Sequence, residues 1–167
     1  EGQPLQILSA GQAATVVLTD RSGRSGQEMA IMEGLVLCKG PPLAPLTANF
    51  KATILTMPGL SPPIMPGSSF ECYLHGQEVQ CKISHLHSMQ VPAPAESGVH
   101  KTRTKLRPKC ISGNRSAVVS VEIIGAGASD MKRRVCIEAF SQCKPLGRFA
   151  LRAVGGTAAV GICDKIL

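Results

Sequence analysis

Apolar and polar residues alternate along much of this chain. In FKATILTM the apolar Phe50, Ala52 and Ile54 fall on one side of an extended backbone, and in SSFECYL Phe70, Cys72 and Leu74 do the same. EVQCKISHL groups Val79, Cys81, Ile83 and His85. SAVVSVEII groups Ala117, Val119, Val121 and Ile123, with Ser116, Ser120 and Glu122 opposite. VCIEAF, RFALRAV and TAAVGICDKI continue the series. A period of two is that of a strand with one face in a core, and helical periodicity is hard to find. Gly, Pro and Ser clusters separate these runs, among them MPGLSPPIMPGSS at 57–69, where proline fixes φ and glycine supplies flexibility. Short strands punctuated in this way predict an all-β protein, an antiparallel sandwich or barrel.

The pattern breaks at KGPPLAPLT, residues 39–47, where three prolines interrupt it. Before that break stand LQIL, AATVVL and EGLVLC. Three strands are too few to close a barrel, and closure alone removes unpaired sheet edges. The expectation is therefore a truncated first barrel over 1–47 and a complete second barrel over 48–167. SMQVPAPAESG at 88–98 reads as a long mobile loop. No internal repeat is apparent.

Composition narrows the class. A chain of 167 residues with 44% hydrophobic content can bury a real core. It has no run of some twenty apolar residues that would span a membrane as a helix. It opens EGQPL without a methionine, which is expected of a fragment or processed form. Seven cysteines form no Cys-x-x-Cys pair, so zinc-ribbon and thioredoxin geometries are absent. Several sit in strand-like runs, as free thiols do in a reducing compartment, and the cytosol is the expected location. The net charge of +7 and a pI near 9.3 favour an acidic partner such as RNA, DNA or an anionic surface. Aromatics at 3%, with no tryptophan, argue against base stacking and toward recognition of a folded RNA by backbone or shape.

Candidate chemistry is sparse. KTRTKLRPK places Lys101, Arg103, Lys105, Arg107 and Lys109 at every second position. On an extended chain they would share one face at roughly 6.6–6.8 Å intervals, close to a nucleic-acid phosphate repeat. The other reading is a solvated edge whose charge discourages sheet-to-sheet pairing. MKRR at 131–134 adds a second basic turn. His85 and His87 would lie on one strand face, and with His75 or Cys81 they could hold a metal, although two ligands at a common spacing say little. The glycines of KPLGRFALRAVGGTAAVG do not make a phosphate loop, because Gly161 is followed by Ile162 and Cys163 rather than a lysine and a hydroxyl. No serine or cysteine has an evident histidine partner. No catalytic residue and no metal ligand is assigned.

PLGRFALRAVGGTAAVGICDKI resembles the closing signature of the translational GTPases related to elongation factors Tu and one-alpha. There a Gly-Arg-Phe-x-x-Arg strand turns through a short loop into a Thr-x-x-x-Gly strand. Gly147, Arg148, Phe149 and Arg152, then Thr157 and Gly161, match it. FKATILTMPGLSPPIMPGSSFECYLHG is similar to the entry into the family's third domain, KLRPKCI to its basic middle segment, and IMEGLVLCKGPPLAPLTANF to the end of the second domain. The chain departs from the pattern at Cys110, where the family has an aromatic, and at Ala153, where it often has an acid. It also carries a short insertion in the Pro/Gly turn, has no counterpart for 88–98, and lacks the nucleotide-binding signatures.

The resemblance implies an antiparallel Greek-key β-barrel of the elongation factor Tu C-terminal domain type over 48–167, preceded by the C-terminal part of the second β-barrel domain. Within the family the residues lean toward the ribosome-rescue GTPase that partners Pelota, then eukaryotic release factor three, then elongation factor one-alpha. The implied partners are a tRNA-shaped release or rescue factor of the Pelota or release factor one type, or tRNA, together with the ribosome and the protein's own G domain; no membrane is implied. Gly147, Arg148, Arg152, Gly155 and Gly156 are the implied partner-binding residues, since that strand region is implicated in release factor three. Arg148 and Arg152 would share the face opposite Phe149 and Leu151, unless they serve only to pair with barrel carboxylates. Lys101, Arg103, Lys105, Arg107 and Lys109 are the candidate RNA-binding residues. No cofactor is expected in this chain; GTP and magnesium are expected only of a missing G domain. The alternatives are an elongation factor one-alpha-like carrier of aminoacyl-tRNA, or a scaffold that keeps only the barrels.

Overall fold

Phe50, Ala52 and Ile54 are completely buried while the residues between them are not, and the same alternation builds the rest of the molecule. The computed structural model describes residues 7–16, 34–92, 102–125 and 134–167. It divides into two units, Glu1–Ile31 and Met32–Leu167. The described part of the first holds a turn in which Gln12 N donates to the Ser9 carbonyl at 3.2 Å and Ser9 N donates to Gln12 Oε1 at 2.9 Å.

The second unit contains β1 (Leu46–Thr47), β2 (Asn49–Thr56), β3 (Ser69–Leu74), β4 (Gln77–Pro92), β5 (Thr102–Leu106), β6 (Ser116–Ile123), β7 (Val135–Cys136), β8 (Arg148–Ala153) and β9 (Gly156–Ile166). Six of these close an antiparallel ring in the order β3-β8-β9-β2-β6-β4, with β4 returning to β3. No helix occurs among the described residues. The expected barrel is therefore present. Closure leaves its strands no free edge. β2 meets β6 through seven residue pairs, whereas β3 meets β8 through only three, Glu71–Arg152, Cys72–Leu151 and Tyr73–Ala150. Lys82 and Glu122, partners across β4 and β6, form an ion pair of 2.9 Å.

The interior receives Phe70, Cys72 and Leu74 from β3, Val119 and Val121 from β6, and Leu151 from β8. Each such side chain contributes about 1.5–3 kcal/mol by leaving water. Phe149 meets Phe50 edge to face, with centroids 5.3 Å apart at 77°, a favoured aromatic geometry. A bridge between Ile64 and Ile111 brings the Pro-rich turn into this core. The buried Thr56 hydroxyl donates to the Ser112 carbonyl at 2.8 Å and accepts from Arg115 N at 2.9 Å, so no polar group is stranded there.

Four expectations change. His85 is exposed rather than aligned with Cys81 and Ile83, because a bulge between Ile83 and His85 shifts β4 by one residue and Leu86 turns inward instead. Ser88–Pro92, read as loop, continues β4 and pairs with β5; residues 93–98 lie outside the described part. VCIEAF forms strand only at Val135–Cys136, paired with Leu46–Thr47. The described residues of LQIL, AATVVL and EGLVLC, which are 7–8, 13–16 and 34–38, carry no strand.

Candidate functional site

β8 presents two arginines outward. Arg148 and Arg152 are exposed, while Phe149 (5%) and Leu151 (0%) face the core, the arrangement that strand alternation predicts. Among the described residues neither arginine forms an ion pair. The Arg148 guanidinium instead lies 5.3 Å from the centroid of Phe140, and that of Arg152 lies 5.3 Å from Tyr73. Both distances are within cation–π range, worth about 0.5–1 kcal/mol at an exposed site. Each guanidinium thus sits over a ring while its arginine remains exposed.

Between the arginines runs an outward row read from the register. Leu55 pairs with Val160, Val160 with Ala150, Ala150 with Tyr73, and Tyr73 with Glu78. Leu55 and Val160 remain 50% and 44% exposed, so the row offers apolar surface at its β2–β9 end and polar groups at its β3–β4 end. Arg148 borders an apolar depression of about 490 Å³ lined by Leu55, Val160 and Ile162. Arg152 lies in a groove of about 550 Å³ between the Pro-rich turn, Leu60–Pro63, and the end of β8. Glu78, by hydrogen bonding and by its charge, holds the Tyr73 phenol above its ordinary pKa; desolvation and Glu71 add to this, and Arg152 opposes it.

The glycines divide by role. Gly147 is buried, and a Cβ there would stand 2.5 Å from Phe140 Cα and 2.7 Å from Phe140 N. Only glycine lets Phe140 pack this closely, which sets its ring beneath Arg148. Gly155 (φ +101°) and Gly156 (φ +139°) form the β8–β9 turn, where Val154 is fully exposed at the tip.

The run of cations is only partly assembled. Arg103 and Lys105 share one face of β5, opposite Val91 and Met89. Lys101 lies outside the described residues. The alternation stops at Leu106, because Arg107 takes a φ of +44° and donates its N–H to the His87 carbonyl at 2.8 Å. Arg107 and Lys109 therefore leave the face that Arg103 and Lys105 share. Of MKRR, Met131–Arg133 lie outside the described part and Arg134 is exposed.

The histidines do share a face. The rings of His85 and His87 stack with centroids 6.4 Å apart. Cys81 is inside the barrel and His75 is at the β3–β4 turn, so neither joins them. Among the described residues no group of three His, Cys, Asp or Glu could hold a metal ion. The sequence reading did not find Tyr73 or Phe140. A signal existed for Tyr73, the only tyrosine of the chain, which occupies the polar phase of SSFECYL.

A model described as GTP-eEF1A C-terminal domain-like matches residues 49–164. Protein HBS1 of Drosophila melanogaster is 31% identical over 130 residues, covering 73% of this chain and 16% of that protein. Elongation factor 1-alpha of Stylonychia lemnae is 29% identical over 126 residues, covering 72% of this chain and 24% of that protein. The chain thus spans a quarter or less of the length of these relatives. Sup35 complexed with GDP has the same fold over 74% of this chain and 26% of its own, with a TM-score of 0.57 at 24% identity.

Proposed function

This chain belongs to the GTP-eEF1A C-terminal domain-like family, the C-terminal barrels of translational GTPases, and on that premise we propose that it docks a tRNA-shaped factor for a eukaryotic member acting in ribosome rescue or translation termination. The reading rests on one observation: two arginines of one strand, each laid over an aromatic ring, flank an outward row that is apolar at one end. Arginine suits such a surface because its planar fork binds carboxylate or phosphate through two hydrogen bonds. Val154 and the Gly155–Gly156 turn extend the surface past the end of β8. Arg103 and Lys105 on β5 add an RNA-binding edge toward the ribosome. Residues 1–47 belong, on this reading, to the end of the preceding barrel domain. A G domain supplies GTP and magnesium chemistry in the full-length cytoplasmic protein.

Similarity to elongation factor 1-alpha supports a second reading, in which the ligand is aminoacyl-tRNA. Calorimetric titration against a Pelota-type factor, release factor one and aminoacyl-tRNA separates the two. Arg148→Ala and Arg152→Ala should each weaken the productive complex about thirtyfold, the loss of a well-packed interface arginine. If both variants bind all three ligands as the parent does, β8 is not the docking strand.

A further inference from the structure

A second row crosses the barrel beyond the start of β8, open to solvent at Lys165, Lys51 and His85 and buried at Ser120. Lys165 on β9 pairs with Lys51 on β2, Lys51 with Ser120 on β6, and Ser120 with His85 on β4. His87 stacks on His85, and its Nε2 lies 2.8 Å from Ser120 Oγ. Like charges set directly opposite each other in an antiparallel ladder are destabilising. Neither lysine forms an ion pair among the described residues. Glu122 is held by Lys82 at 2.9 Å, and Asp164 accepts a hydrogen bond from Thr53 Oγ1 at 2.8 Å. The barrel therefore keeps two facing lysines whose repulsion no described ion pair offsets.

The backbone is shaped around the same row. The β2–β9 ladder shifts between Lys51 and Ala52, and the β4–β6 ladder shifts between Ile83 and His85 and again between Leu86 and Ser88. Continued alternation from Cys81 and Ile83 would turn His85 inward. The bulges aim both imidazoles outward, the way bulges re-aim side chains beside working sites.

We infer that this row is a docking site for the phosphodiester backbone of RNA. A phosphate between Lys51 and Lys165 turns their mutual repulsion into shared attraction, and the exposed imidazoles of His85 and His87, the latter held by buried Ser120, supply hydrogen-bonding groups further along the row. From Lys165 to His85 the row crosses three strand spacings, about 14 Å, enough to meet more than one phosphate. Such contacts position RNA without reading its sequence. The row is separate from the arginines of β8, so RNA binding here survives even if no protein factor docks there.

The test uses the chain itself and a fluorescently labelled RNA duplex, with affinity followed by anisotropy across a salt series. The double variant Lys51→Gln/Lys165→Gln should lose at least tenfold in affinity at low salt. Its slope of log affinity against log salt should be shallower by about 0.9, the worth of the one phosphate the two lysines share. Lys144→Gln, which removes a charge from the exposed turn before β8, should keep the parental slope. Lys51→Glu should pair with Lys165, raise the melting temperature and still lose RNA, which separates binding from folding. A parental slope in the double variant overturns the site. So does competition by a poly-glutamate peptide as effective as that of unlabelled RNA, since the row would then recognise acidic protein.

Discussion

Phe149 and its two arginine neighbours do opposite work on one strand. The Phe149 ring fills core space against Phe50 and lies over Gly161, where an added Cβ would stand 2.4 Å from Phe149 Cζ. Phe149→Ala should therefore cost about 3–5 kcal/mol. Gly161→Ala, by pushing the ring off its seat, should cost about 1–3 kcal/mol. Arg148→Ala should lose no more than its exposed cation–π contact, about 0.5–1 kcal/mol. Urea melts of the three variants check the ranking, and an Arg148→Ala protein less stable than Phe149→Ala would reverse the facing of β8. That facing was legible in RFALRAV, because period two is local information. The rings under the arginines were not: Tyr73 reaches Arg152 through the β3–β8 register and Phe140 reaches Arg148 through the packing of Gly147, and neither relation is written in any one stretch.

β4 shows where an element escapes its own pattern. Cys81 and Ile83 fixed its phase correctly, but each bulge depends on what β6 offers opposite, so alternation carried His85 to the wrong face. The end of β4 was lost for another reason, since Val91 and Pro92 look like loop until β5 is laid beside them. The cation run failed in the converse way: its alternation is real in sequence, but a left-handed turn at Arg107 ends the strand. The exposed His87 carries a testable trace of this geometry. Partial desolvation first, then the charges of Lys51 and His85, holds its pKa below the ordinary value of 6.5. A group whose folded pKa is depressed in this way binds more protons in the unfolded chain, so stability is full above about pH 7 and declines as acid approaches the folded value. The melting temperature should fall on acidification, and His87→Gln should shrink the fall without abolishing it, because burial also depresses His75. An identical fall in both proteins would remove His87 as a source.

At the scale of the whole molecule the all-β class and the closed ring followed from strand count and turn chemistry, while membership of a translational-GTPase family came from the order and spacing of segments that are individually weak. The stretch before Leu46 was the least legible, because a strand's existence depends on a neighbour that no local pattern supplies. The chain contains no glycine loop followed by lysine and a hydroxyl, the cradle a nucleoside triphosphate requires. Calorimetric titration with GTP or GDP and magnesium should therefore show no binding. Micromolar affinity would place a nucleotide site in this chain and overturn the assignment of that chemistry to a separate G domain. The ring itself closes unevenly: β3 holds β8 through three residue pairs, and Arg152 reaches from one side of that seam to Tyr73 on the other. Local opening of a barrel begins where its zipper is shortest. A partner seated on Arg152 and Tyr73 would be a clasp across the seam, and the amides of β3 and β8 would be the first in the molecule to stop exchanging with deuterium when it arrives.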